Sequence, residues 1–143
     1  MTLVDTGPLV ALFDPKDAEH SRCVQTLKVL RGQLRTTVPV LTEAFHMLDP
    51  GTRGSAALRG FMSRGGLSIW WLDPASLQRA FELMDRYADH PMDLADASLI
   101  VAAESLNTRR IFTLDRRAFR AYRVRRGHRE HAVEMVPGWS SHG

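Results

Sequence analysis

Cysteine is almost absent from this chain of 143 residues, and lysine is nearly so. Cys23 stands alone, so the chain cannot form a disulfide framework, and we expect a reducing, cytoplasmic location. No apolar run reaches the roughly 18 residues that a membrane-spanning helix needs, so we expect no membrane partner. The first residues, Met1 to Asp5, lack the basic region and the long apolar core of a signal peptide, so we do not expect export.

The basic residues are nearly all arginine, and many of them lie in the last third of the chain. The members of this arginine cluster are Arg109, Arg110, Arg116, Arg117, Arg120, Arg123, Arg125, Arg126 and Arg129. With a net charge of +3, such a cluster is typical of a surface that binds a phosphate backbone. The alternative is a solvated face in a protein that uses arginine in place of lysine.

Short apolar runs alternate with amphipathic segments along the chain, which predicts βαβ units and a mainly parallel central sheet flanked by helices. We expect one α/β domain over residues 1–137, followed by a tail at 138–143. The predicted strands are residues 3–4, 35–38, 67–72, 110–114 and 132–136. The predicted helices are a short one capped by Thr6 and then residues 18–31, 39–48, 53–64, 74–88, 93–107 and 116–119, with a loop around 123–129.

Four carboxylates share one topological position in this scheme. Asp5 and Asp115 each follow a strand, Asp96 begins a helix, and Glu43 lies on the helix after the second strand. Strand ends and the following helix starts share one edge of a parallel sheet, so these side chains should gather there. Carboxylates held close together repel unless a cation neutralises them, and Mg²⁺ prefers such oxygen ligands.

Each of these acids also has a purely structural interpretation. An Asp between a strand and a helix is more often an N-cap than a metal ligand, and Asp93 is well placed to cap the helix that contains Asp96. Taken singly, Glu43 is more often a solvated side chain. The metal interpretation gains weight only because all four acids follow the same rule.

Ordered motifs cover almost the whole chain. They are Val4-Asp5-Thr6-Gly7-Pro8-Leu9-Val10-Ala11-Leu12, Thr42-Glu43, Met92-Asp93-Leu94-Ala95-Asp96-Ala97-Ser98-Leu99 and Phe112-Thr113-Leu114-Asp115-Arg116-Arg117-Ala118-Phe119. In order and spacing the chain resembles a PIN domain, and most of all the VapC-type toxins of toxin–antitoxin pairs. The resemblance implies a catalytic quartet of Asp5, Glu43, Asp96 and Asp115, with Asp5 and Asp96 as the Mg²⁺ ligands. It also implies supporting roles for Thr6, Asp93 and Thr113.

The reaction implied by this resemblance is endonucleolytic hydrolysis of single-stranded regions of RNA, in tRNA or rRNA. A water activated by Mg²⁺ (or Mn²⁺ in its place) attacks the phosphate and leaves a 5′-phosphate. The implied partners are the RNA, a cognate antitoxin that inhibits the enzyme, and a second copy of the chain in a homodimer. We expect Arg116, Arg117 and Arg120 to contact RNA. The rival hypothesis is a non-catalytic RNA-binding module that uses the arginine cluster.

Other signals are weaker. Asp5-Thr6-Gly7 also spells the aspartic-protease triplet, but that enzyme needs two such carboxylates on an all-β scaffold. His128 and His131 have the spacing of a zinc pair but lack a third ligand, which favours a surface segment. Trp70 and Trp71 could stack on bases, although their apolar strand favours the core or an interface.

Overall fold

A parallel sheet of five short strands lies at the centre of the fold. In the computed structural model, which describes residues 1–138, the strands are β1 (Thr2–Val4), β2 (Leu34–Thr36), β3 (Ser68–Ile69), β4 (Arg110–Phe112), β5 (Arg123–Arg126), β6 (Arg129–Ala132) and β7 (Glu134–Val136). The sheet has the order β3-β2-β1-β4-β7, and every neighbouring pair in it is parallel. The α/β class and the parallel sheet are therefore confirmed. Strands β5 and β6 form a separate antiparallel pair.

Helices connect and cover the strands. They are α1 (Thr6–Phe13), α2 (His20–Val29), α3 (Val38–Leu48), α4 (Arg53–Ser63), α5 (Pro74–Arg86), α6 (Leu94–Leu106) and α7 (Arg116–Ala121). Among residues 1–138, none of these helices has the length and apolar character needed to cross a membrane. Of the predicted tail at 138–143, residues 139–143 lie outside the described residues.

Helix α6 is the buried centre of the helical layer. It is apolar on nearly all sides, with Leu99, Ile100 and Ala103 fully buried as the sequence pattern predicts. Its alanines are small enough for α5, α3 and β1 to pack closely against it. The helix begins at the carboxyl edge of the sheet and ends at Asn107, which has left-handed backbone dihedral angles.

The register of β1 against β4 determines what meets at the carboxyl edge. Val4 pairs with Phe112, so the next residues along each strand, Asp5 and Thr113, emerge side by side. The Asp5 amide donates a 2.9 Å hydrogen bond to the carbonyl of Phe112, which continues the ladder by one step. Two residues far apart in sequence are therefore fixed as neighbours by backbone pairing alone.

Several local predictions are wrong. Asp5, not Thr6, occupies the N-cap position of α1. The run 67–72 yields only the two-residue strand β3; the Trp70 amide still donates a 2.9 Å hydrogen bond to the Thr36 carbonyl, and Trp71 is exposed. On α5 the buried face contains Leu83, whereas Phe81, predicted to be on that face, is 42% exposed.

The predicted loop around 123–129 is the β5–β6 hairpin, turning at Gly127 with a positive φ. Long-range contacts hold this hairpin to the helices. Glu130 accepts hydrogen bonds from Arg86 of α5, and Glu104 of α6 accepts one from the Arg125 amide. These partners are remote in sequence, so the local pattern contains no sign of them.

The arginine cluster is divided by the fold. Arg109 and Arg110 lie at the start of β4, at the edge opposite Asp115, and Arg126 binds Asn107 at the far end of α6. Arg116, Arg117 and Arg120 lie on α7 and therefore follow the carboxyl edge directly. The arginines that are close in the sequence therefore do not form one continuous basic surface.

Candidate active site

A cavity of about 580 Å³ opens at the carboxyl edge of the sheet. Its walls contain all four of the predicted acids and two of the predicted supporting residues. The lining comprises Asp5, Thr6, Gly7, Glu43, Met47, Pro91, Asp93, Asp96, Leu114, Asp115 and Ala118. The chain thus brings together the acids that follow β1 and β4 with the acids of α3 and α6 in one acidic cavity.

Asp5 is the buried acid of the cavity, only 7% exposed. The Thr113 hydroxyl donates a 2.8 Å hydrogen bond to its Oδ2. Burial raises the pKa of Asp5 to about 6, and the charges of Asp115 and Glu43 add to that rise, while the bond from Thr113 opposes it. A carboxylate in this position is stabilised in its charged form by a cation.

Glu43 lies on the exposed side of the same cavity. Helix α3 packs against α1, and this packing brings Glu43 within reach of the first residue of α1. The Thr6 hydroxyl donates a 3.3 Å hydrogen bond to Oε1 of Glu43. Partial burial, followed by the charge of Asp93, raises the pKa of Glu43 above its usual range.

Asp96 lies in the first turn of α6, and Asp93 caps that helix as predicted: its Oδ1 accepts a 2.8 Å hydrogen bond from the Asp96 amide. The Asp96 side chain makes no capping contact of its own and instead accepts a 3.0 Å bond at Oδ2 from the Tyr122 hydroxyl. Burial raises the pKa of Asp96 to about 7, with added contributions from the negative charges of Asp93 and Asp5.

Asp115 has a structural role as well as a place in the cavity wall. Its Oδ1 accepts a 3.1 Å hydrogen bond from the Ala118 amide and so caps α7. The Asp115 amide donates to the Thr113 hydroxyl at 3.0 Å. Thr113 therefore links Asp115 to Asp5, and the capping interpretation is correct without excluding a role in the site.

The donor set of this cavity fits a hydrated Mg²⁺ ion better than an ion enclosed by protein. Within residues 1–138, no three His, Cys, Asp or Glu side chains are arranged to hold an ion together. Mg²⁺ commonly takes one or two carboxylates and keeps several water ligands. The ion pairs of the described chain use glutamates elsewhere, namely Glu19, Glu82, Glu104, Glu130 and Glu134. Asp5 and Asp96, with raised pKa values, are the acids with most to gain from a cation.

A basic cavity adjoins the acidic one. It measures about 600 Å³ and shares Leu114 and Asp115 with the acidic cavity; its remaining walls are Arg116, Arg117, Arg120 and Met135. Arg117 and Arg120 are exposed, whereas Arg116 is half-buried and donates a 3.0 Å hydrogen bond to the Pro137 carbonyl. Positive charge therefore lies beside Asp115, at one wall of the acidic cavity.

Tyr122 is the site contact that the sequence analysis missed. It is fully buried, and both Tyr87 and Phe119 pack against its ring edge to face, at centroid distances of 5.1 and 5.2 Å. Burial and the neighbouring Asp96 raise the pKa of its hydroxyl well above the usual range, so the hydroxyl stays a donor. The sign of this contact in the sequence is a tyrosine that stands between Arg120 and Arg123.

The remaining candidates lie elsewhere. His128 lies in the hairpin turn beside Gly127, and His131 lies on β6, in agreement with the predicted surface segment. Trp70 packs against the core, whereas Trp71 is 67% exposed.

Comparison with known proteins identifies relatives of this chain. The family model of the PIN domain matches residues 2–124. Ribonuclease VapC26 of Mycobacterium tuberculosis (strain ATCC 25618 / H37Rv) is 27% identical over 123 residues, which cover 85% of this chain and 91% of that protein. The crystal structure of VapC20 from Mycobacterium tuberculosis, a toxin that cleaves the sarcin–ricin loop, matches with a TM-score of 0.75. It is 18% identical over 82% of this chain and 92% of that one, a likeness that shows the fold alone.

Proposed function

This chain belongs to the PIN domain family, and we propose that it is a Mg²⁺-dependent endoribonuclease of the VapC toxin type. The observation that carries the proposal is the acidic cavity, in which Asp5, Glu43, Asp96 and Asp115 converge. The likeness to Ribonuclease VapC26 supports the same activity. The proposed substrate is single-stranded RNA within a tRNA or rRNA.

We assign the metal ligands to Asp5 and Asp96. A bound Mg²⁺ supplies a Lewis acid for the phosphate oxygens and lowers the pKa of a water molecule. Asp5 is held for this role by Thr113, and its buried position limits its motion. Glu43 and Asp115 add negative charge at the exposed side of the cavity, which favours a divalent cation over a monovalent one.

The chain's other residues support these carboxylates. Thr6 orients Glu43 through its hydroxyl, and Asp93 stabilises the first turn of α6 from which Asp96 projects. We assign Arg116, Arg117 and Arg120 to the RNA backbone, because their cavity shares a wall with the acidic one. A phosphate bound there would lie next to the wall that contains Asp115, so the next part of the backbone could enter the acidic cavity.

The test uses the purified chain and total cellular tRNA and rRNA. Cleavage should require Mg²⁺, stop on addition of a chelator, and be lost in Asp5→Asn, while that variant keeps the RNA affinity of the wild type. Loss of a direct metal ligand should cost more than the roughly 10–100-fold typical of an outer-shell residue. Cleavage that survives both the chelator and the substitution would refute the proposal. Binding without any cleavage would establish the rival function, an RNA-binding module.

The proposed partners are an antitoxin and a second copy of the chain. An antitoxin segment that covers the acidic cavity would also cover Met47, which is 59% exposed in the cavity wall. Sedimentation of the purified chain tests the homodimer.

A further inference from the structure

Within residues 1–138, the hydroxyl of Tyr122 is the one aromatic polar group that reaches a proposed metal ligand. It donates a 3.0 Å hydrogen bond to Oδ2 of Asp96, across 26 residues of sequence. The ring cannot follow a moving carboxylate, because Tyr122 is fully buried between Phe119 and Tyr87. Its donor therefore has a fixed position relative to the core.

A fixed donor restricts what Asp96 can offer an ion. The bond from Tyr122 occupies one lone pair of Oδ2 and opposes rotation of the carboxylate, so Oδ1 is the freer oxygen for a cation. Mg²⁺ and Mn²⁺ favour octahedral sites in which a carboxylate gives one oxygen, whereas Ca²⁺ also accepts both oxygens of one carboxylate. The contact thus favours the smaller ions.

We propose that Tyr122 is a positioning residue that holds Asp96 as a one-oxygen ligand and thereby sets the site's preference for Mg²⁺ and Mn²⁺ over Ca²⁺. The inference rests on the proposed function, since it takes Asp96 to be a metal ligand. Tyr122 contacts neither ion nor substrate and acts through Asp96 alone. Outer-shell hydrogen bonds of this kind commonly orient metal ligands.

The test is calorimetric titration of the full chain with Mn²⁺ and, separately, with Ca²⁺, without RNA. In Tyr122→Phe the ring remains and only the hydroxyl is removed, so Mn²⁺ affinity should fall about tenfold, the lower end of outer-shell effects. Ca²⁺ affinity should fall by less than about threefold, because a freed carboxylate can bind Ca²⁺ with both oxygens. Equal losses for the two ions, or no loss, would overturn the inference.

Tyr87→Phe is the matched control. It removes a tyrosine hydroxyl from the same buried aromatic cluster. That hydroxyl accepts a hydrogen bond from the Arg123 amide, whereas the Tyr122 hydroxyl donates one to a carboxylate. Its Mn²⁺ affinity should equal that of the wild type. If both phenylalanine variants lose the same affinity, packing and not positioning is the cause, and the inference fails.

Asp96→Asn separates this inference from the proposed function. If Asp96→Asn binds Mn²⁺ as tightly as the wild type, the proposed ligand role is wrong and the proposed function fails with it. If Asp96→Asn loses affinity while Tyr122→Phe does not, only the inference fails.

A second measurement covers the case in which Tyr122→Phe does not fold. The chain has 2 tyrosines, so Tyr122 is the sole tyrosine of Tyr87→Phe. The ring resonance of labelled tyrosine in that variant should shift on titration with Mg²⁺, with the midpoint that a calorimetric titration of the same variant with Mg²⁺ gives. A resonance unmoved at saturating Mg²⁺ would contradict the proposal.

Discussion

The Thr113 hydroxyl donates a 2.8 Å hydrogen bond to Oδ2 of Asp5, although 108 positions separate the two residues. The bond exists because β1 and β4 are adjacent parallel strands that end in register. It connects the buried acid of the cavity to Asp115, whose amide donates to the same hydroxyl. The local order of the acidic site therefore depends on the central strand pairing of the fold.

Replacing Thr113 tests this connection. Thr113→Val keeps the side-chain shape but removes both hydrogen bonds, so the free energy of unfolding should fall by about 1–3 kcal/mol. RNA cleavage should fall roughly tenfold, because Asp5 loses its fixed donor. Thr113→Ser keeps the hydroxyl and should restore most of the cleavage rate. A valine variant as active as the serine variant would show that the bond does not matter.

Stability should depend on pH through Asp5. Its pKa in the folded chain is about 6, above the ordinary value of 3.8, so ionisation costs the folded state free energy. Without divalent ions, the free energy of unfolding should therefore fall as pH rises from about 4 to about 7, by at most about 3 kcal/mol from this residue. Asp5→Asn should remove that part of the fall and stabilise the chain at pH 7.5. Asp85→Asn, an exposed acid of α5, is the control. Denaturant titrations that find Asp5→Asn no more stable than this control would contradict the prediction.

Protons should compete with Mg²⁺ for the site. Because the pKa of Asp96 is about 7 and that of Asp5 about 6, both are mainly ionised at pH 8 and at least half protonated at pH 6. The Mg²⁺ concentration for half-maximal cleavage should rise about tenfold or more between pH 8 and pH 6. Saturating Mg²⁺ should recover much of the rate at pH 6. A half-maximal concentration that does not change with pH would exclude these carboxylates as ligands.

The arginines of α7 should contribute more to RNA binding than those of the hairpin. Arg117→Gln with Arg120→Gln should weaken RNA binding and reduce the slope of affinity against salt by about one for each lost phosphate contact. Arg125→Gln with Arg129→Gln removes the same charge from the hairpin and should change affinity little. Equal losses in the two double variants would favour a diffuse basic surface over the cavity beside the acids.

The sequence predicts the parts of the site that depend on local order. Asp5, Asp96 and Asp115 could be placed because each lies where a strand or loop passes into a helix, and a parallel sheet gathers such points at one edge. For Glu43, the sequence predicts only that it lies near that edge. Its contact with Thr6 depends on the packing of α3 against α1, which no local pattern specifies.

The β5–β6 hairpin and Tyr122 could not be predicted in the same way. Of the four residues of β5 only Val124 is buried, so alternation of apolar and polar residues gives a weak signal there. The hairpin depends on Glu104 and on the Arg86–Glu130 pair, which are distant in sequence. Tyr122 reaches Asp96 only because β5 packs along α6.

Mapping RNA 5′ ends in cells tests the central claim most directly. The chain would be expressed briefly as the wild type and as Asp96→Asn, and newly formed 5′-phosphate ends would be located across the RNA population. The account predicts cuts at defined single-stranded sites in a tRNA or rRNA with the wild type, and their absence with Asp96→Asn. Identical maps from the two proteins would contradict it.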